Sequence, residues 1–123
     1  MLNSGKRYTD LNVWVEARKL SKDIYSVSAE FPRNKQFGLI NQMRRGAISI
    51  PSNIAEGCGR NYPKDSIQFF FIARGSIYEL ETQLYISFDL NYIDEVKLNQ
   101  LLIITETTRK LLSGFIKYYQ QIK

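Results

Sequence analysis

The side chains best suited to chemistry in this 123-residue chain cluster in RRGAISIPSNIAEGCGR, residues 44–60. Two serines, a carboxylate and the single cysteine, Cys58, stand there between arginines. Ser49, Ser52 or Cys58 would serve as a nucleophile only with a base to take its proton. The chain has no histidine, and no lysine stands at a useful spacing from either serine. Cys58 follows Glu56 without a base, so it reads as a small packing residue, its flanking glycines leaving the thiol room for access. GCG lacks the Lys and the Ser/Thr of a phosphate-binding loop, and no strand precedes it. Glu79 and Glu81 are two apart on a helix and point in different directions, which excludes a paired acid and base or a metal site. With one cysteine there is neither a disulfide nor a zinc cluster. The expectation is a non-enzymatic protein with no cofactor and no metal.

What the polar residues can do is bind anions. Net charge is +5, and it is uneven: residues 1–74 hold 12 Lys/Arg against 6 Asp/Glu, residues 75–123 hold 5 against 6. The alternative is that a charge of this size only aids solubility. The candidate nucleic-acid contacts are Arg33, Lys35, Arg44, Arg45, Arg60 and Lys64, all on or beside one helix. Such contacts would go mainly to phosphates of RNA or DNA, tolerant of sequence and sensitive to salt. No known base-reading module is visible.

The elements that must position these residues are helices. Apolar residues recur at steps of three and four in four stretches, the spacing of a helix with one packed face. They are Val13, Ala17, Leu20, Ile24, Val27, Phe31; then Ile40, Met43, Ala47, Ile50, Ile54; then Phe70, Ala73, Ile77, Leu80, Leu84; and last Leu101, Thr105, Thr108, Leu112, Phe115, Tyr119, Ile122. Pro32 stops the first and Pro63 precedes the third. Each stretch is predicted to give ~20–28 helical residues. The links FPRNKQ, GCGRNYPKD and DLNYID are short, so neighbours run antiparallel. The predicted fold is all-α, an antiparallel up-down-up-down four-helix bundle forming a single domain over residues 1–123.

On the second helix Gln42, Arg45, Ser49, Ser52 and Glu56 form a polar side, with Arg44, Ile48, Pro51 and Ala55 as a flank beside the apolar seam. Pro51 removes a backbone donor and crowds the Ala47 carbonyl, which predicts a kink. Ser49 and Ser52 are placed to engage nearby carbonyls, and Gly57 or Gly59 supplies the stop. The third helix carries a second stripe one position round from its seam: Ile67, Phe71, Arg74, Tyr78, Glu81, Tyr85 and Phe88. An apolar stripe of that length is expected to be a contact surface between copies of the chain, together with Ile48, Pro51 and Ala55. The bland alternative is a wide helix face sunk in its own bundle.

The string RRGAISIPSNIAEGCGR, with FFFIARGSIYELETQL at 69–84, resembles the four helix bundle protein family encoded by intervening sequences in bacterial 23S rRNA genes. The accessory variability determinant of diversity-generating retroelements is a more distant likeness. The similarity runs from DLNVWVEARKL to the last helix. It implies a ring-like homopentamer with no established enzymatic activity, and, through the retroelement protein, binding of nucleic acid and a protein partner by a basic surface. Two departures stand out. Gly46 occupies a place where the family usually has Ala, and PRNKQFGL lacks the family's usual acidic residue, which alters a salt bridge there.

Two functional readings follow. One is an oligomer that binds RNA or DNA. The other is a structural or adaptor protein with a protein partner, in which Arg45, Arg74, Glu56 and Glu81 form salt bridges between subunits. The longest apolar runs, FFFIA and LLII, are too short for a membrane, and the amino terminus lacks a signal-peptide pattern, so the expected location is cytoplasmic.

Overall fold

A computed structural model describes residues 7–32 and 37–122. Four helices follow one another: α1 (Asn12–Ser28), α2 (Phe37–Cys58), α3 (Pro63–Asp89) and α4 (Glu95–Gln120), with a short 3-10 turn at Tyr8–Asp10 ahead of them. There is no strand among the described residues. The protein is an all-α, antiparallel four-helix bundle in which α2 lies between α1 and α3, and α4 closes against α3 and α1.

Local signals set the helix ends. Pro63 stands at the first position of α3, where its missing N–H is not needed, with Asp65 in the first turn. Asp94 caps α4 by accepting from the Lys97 N–H at 2.8 Å. The turn between α3 and α4 uses Asn91 at φ 63, a left-handed conformation that asparagine tolerates. Helix α1 has 17 residues, fewer than its pattern predicts. It starts only after the 3-10 turn and the extended Leu11, and ends at Ser28, where turns through Ala29 and Phe31 lead to Pro32.

The seams predicted for α1 and α3 are buried throughout. In α2, Met43, Ala47, Ile50 and Ile54 are fully buried while Ile40 sits at the edge of the core. In α4 the seam passes through Ile116 rather than Phe115, which packs at the core's margin against Phe70 and Tyr119 at 5.1 and 4.9 Å between ring centroids. Thr105 and Thr108 are fully buried because each hydroxyl donates back to its own helix, to Leu102 O and Ile104 O, both at 2.9 Å. The antiparallel order is visible in the ends that meet. Phe70, early in α3, stacks edge-on against Tyr119, late in α4, at 4.8 Å. Phe31, after α1, meets Tyr92, before α4, at 5.3 Å.

Helix α2 runs through Pro51 without a break. The carbonyl left without its helical donor is that of Ala47, and the hydroxyl that meets it belongs to Ser21 of α1, at 2.8 Å. The hydroxyls predicted for this task are otherwise engaged or exposed. Ser49 Oγ accepts from Asn53 Nδ2 at 2.9 Å and from Ser76 Oγ of α3 at 3.1 Å, while Ser52 faces solvent. The two glycines also divide their work. Gly59 follows the last turn, its N–H reaching the Ala55 and Glu56 carbonyls. Gly57 is buried inside the helix, where an added Cβ would stand 2.8 Å from Phe70 Cδ1 and 2.9 Å from the Ser66 carbonyl. Its role is therefore close approach of α2 to α3, not helix termination.

Candidate functional site

Two surfaces carry the candidate residues, on different sides of the bundle. The first is the outer side of α3. Of the predicted stripe, Phe71, Tyr78 and Tyr85 are 37%, 52% and 53% exposed. Ile67 and Phe88 instead tuck against the core. Exposed Ile72 and Ile86, absent from the predicted stripe, widen the apolar face. Arg74 lies over the Phe71 ring at 5.1 Å. Glu81 turns inward to α4: Thr105 Oγ1 donates to its Oε2 at 3.2 Å, and Arg109 Nε stands 3.9 Å from its Oε1. Arg109 in turn lies over the Tyr78 ring at 5.4 Å. The outer side of α4 continues this surface with exposed Val96, Ile103 and Tyr118.

The second surface is the groove between α1 and α2. Ile48, Pro51 and Ala55 line it, so the α2 flank lies across the bundle from the α3 stripe. Two stretches of the groove share Ile48: one is lined by Tyr8, Trp14, Arg18 and Ser21, the other by Tyr25, Asn41, Arg44 and Arg45. Arg44 is fixed in place. Its Nε donates to Ser28 Oγ at 2.8 Å, a terminal nitrogen donates to the Tyr25 carbonyl at 3.2 Å, and the guanidinium lies 4.6 Å from the Tyr25 ring centroid. Arg18 lies over Trp14 at 5.5 Å, and Tyr8 meets the same ring edge-on. Arg45 is exposed.

Of the six predicted basic contacts, the four among the described residues fall in two places. Arg44 and Arg45 belong to the α1/α2 groove. Arg60 lies over Phe69 of α3 at 4.4 Å and pairs with Glu56 at 3.1 Å, and exposed Lys64 is near it in the next helix. Arg44 lies roughly 21 Å along the α2 axis from the helix end at Cys58, just before Arg60, at ~1.5 Å per residue. Arg33 and Lys35 lie outside the described residues. Sequence reasoning passed over Trp14, Arg18 and Tyr25, although their spacing along WVEARKLSKDIY places them on one side of α1.

Cys58 is a free, half-buried thiol at the core's edge, and burial pushes it up to about 11. The neighbouring Tyr119 hydroxyl is pushed up as well, by burial first and then by Cys58. That hydroxyl is buried with no well-formed hydrogen bond, the Cys58 thiol being its polar neighbour. A thiol held protonated beside a phenol, with no base in reach, is packing material rather than a nucleophile. Among the described residues no three His, Cys, Asp or Glu side chains gather as a metal ion would require. No helix among them is long and apolar enough to cross a membrane.

The sequence model of a family described as 23S rRNA-intervening sequence protein matches residues 9–114. No curated protein matches the chain. Among solved structures, a protein of unknown function from the S23 ribosomal protein family of Bacteroides thetaiotaomicron has a similar fold. Its TM-score is 0.80 at 24% identity, covering 85% of this chain and 98% of that one.

Proposed function

We propose that this chain, which belongs to the 23S rRNA-intervening sequence protein family, is a non-enzymatic homo-oligomer that holds nucleic acid on a basic surface repeated in every copy. The observation that carries this reading is the uncovered apolar face of α3, where Phe71, Ile72, Tyr78, Tyr85 and Ile86 all meet solvent in the single chain. A contiguous exposed face rich in aromatics is the composition of a contact surface. A closed ring needs two different complementary surfaces on each copy. The outer sides of α3 and α4 would supply them, and five copies agree with the family resemblance. Arg44 and Arg45 remain outside that contact, and repetition round a ring turns weak phosphate contacts into avid binding.

The test is solution mass with and without Phe71→Glu and Tyr78→Glu. The wild-type protein should run as a multiple of 14.4 kDa, and the double variant as a single chain with unchanged helix content. A wild-type monomer at high concentration would sink the oligomer. It would favour the second reading, an adaptor whose α3 face docks a different protein. Under that second reading Glu81, which already meets Thr105 and Arg109 within its own chain, would be shared between that contact and a salt bridge across subunits.

A further inference from the structure

We infer that the groove between α1 and α2 is the track for a single strand of nucleic acid, its phosphates held by Arg18, Arg44 and Arg45 and its bases placed against Trp14 and Tyr25. The inference rests on the proposed nucleic-acid role and gives that role a site.

Charge on α1 is sorted by side. Asp23 of α1 and Glu30, just past its end, line the cleft toward α4 together with Lys97. On the α2 side the linings contain three arginines and no carboxylate. Exposed Lys22 stands on α1 between Arg18 and Tyr25 in sequence. Among the described residues, neither Lys22 nor any of those arginines pairs with an acid. Arg60, by contrast, is already engaged with Glu56. Unpaired cations on one side of a helix whose other side holds the acids are what a polyanion would meet.

The arginines are also organised for it. Two of the five guanidinium N–H groups of Arg44 are engaged with Ser28 and Tyr25, so the fork is held while its remaining donors are left for a phosphate. Arg18 and Arg44 each lie over an aromatic ring, and rings alternating with cations are the arrangement that tracks a strand by stacking and charge together. From Trp14 to Tyr25 the groove runs roughly 16 Å along α1 at ~1.5 Å per residue. A furrow between helices whose axes lie ~8–10 Å apart takes one strand, whereas a duplex would rest only on its rims. An acidic peptide would use the same arginines but has no use for the rings.

Trp14 is the chain's single tryptophan, so the unmodified protein reports on its own groove. The experiment titrates oligo-uridine and oligo-thymidine of about 16 nucleotides, a duplex RNA and poly-glutamate at about 50 mM salt. Trp14 emission and the anisotropy of labelled strands are both followed. A single strand should change Trp14 emission and bind more tightly than the duplex, and poly-glutamate should compete weakly. Arg18→Ala with Arg45→Ala should weaken binding by ~10-fold or more, while Arg60→Ala with Lys64→Ala should change it less than about threefold. Both pairs are exposed, and matching melting curves would verify their folding. The groove is overturned if strands bind with Trp14 unresponsive, if the groove variant binds as the wild type does, or if duplex or poly-glutamate binds equally well. In each of those cases the protein still binds a polyanion, elsewhere or less selectively. Absence of binding to every nucleic acid would instead overturn the proposed function and the groove with it.

Discussion

Ser21 of α1 donates its hydroxyl, at 2.8 Å, to the carbonyl of Ala47 in α2, the one carbonyl that Pro51 deprives of a helical partner. The proline defect is thus met by a neighbouring helix, and the same bond ties α1 to α2 beside the groove. Ser21→Ala should lower stability by about 1 kcal/mol. In a Pro51→Ala background, where the Ala47 carbonyl regains a backbone donor, the same change should cost much less. Urea denaturation of the four proteins gives the coupling, and strictly additive effects would show that the two residues do not share this carbonyl.

Gly46 and Gly57 lie in the same helix, yet replacement by alanine should have opposite signs. A Cβ on Gly46 would meet nothing within 4 Å, so Gly46→Ala should stabilise by up to ~1 kcal/mol. A Cβ on Gly57 would press into Phe70 and the Ser66 carbonyl, so Gly57→Ala should destabilise by about 1–3 kcal/mol. Melting temperatures moving in the same direction would refute the packing account.

Cys58 is raised from an ordinary 9.0 to about 11. Below pH 9 the thiol is protonated in both folded and unfolded chains and costs nothing. Between pH 9 and about 11 the unfolded chain loses the proton more readily, so stability falls as pH rises. Tyr119, raised for the same reason, adds to the loss in more alkaline solution. Denaturation from pH 7 to 11 should show the wild type losing more stability than Cys58→Ala. Parallel curves would count against a buried thiol. Alkylation of the thiol at neutral pH should be slow in the folded protein.

Glu81 and Arg109 are an unequal pair. Thr105 donates to Glu81, whereas Arg109 Nε is buried without a hydrogen-bond partner. Removing the carboxylate by Glu81→Ala leaves Thr105 its bond to Leu102 O but strips the half-buried Arg109 of its counter-charge, and should cost about 1–3 kcal/mol. Arg109→Met removes a poorly served donor while keeping much of the contact with Tyr78, and should cost less. Equal losses, measured by thermal or urea unfolding, would mean the pair acts as a simple ion pair.

Tyr119→Phe should cost little, because the hydroxyl it deletes is buried and has no more than a weak contact with the Cys58 thiol. A loss above ~1 kcal/mol would show that the phenol has a bond to its surroundings after all.

How far the sequence could be read depended on how local each question was. Whether Ala47, Ile50 and Ile54 face inward is a matter of spacing along one helix, and periodicity answers it. The same holds for Phe71, Tyr78 and Tyr85 lying off the seam of α3. Where a flank meets its neighbour is another kind of question. Glu81 and Tyr78 stand within a few residues on similar sides of one helix, yet the carboxylate is drawn to Thr105 and Arg109 while the ring stays half in solvent. Gly57 resembled a helix stop until Phe70 was placed against it. Arg44 and Arg60 looked like one basic run because they are close in sequence, but one turns to Tyr25 of α1 and the other to Phe69 of α3.

The sequence by itself determined four amphipathic helices, their antiparallel order and most of the residues that build the core, because the 3.6-residue period and short links are properties of the chain alone. Only the tertiary structure decided that Ser21 answers Pro51, that Trp14, Arg18 and Tyr25 share a groove with Arg44 and Arg45, and that Glu81 turns inward. Each helix has two flanks of similar composition. Which neighbour covers a flank follows from how the helices are rotated and packed against one another, and that is settled by all the side chains of the core together.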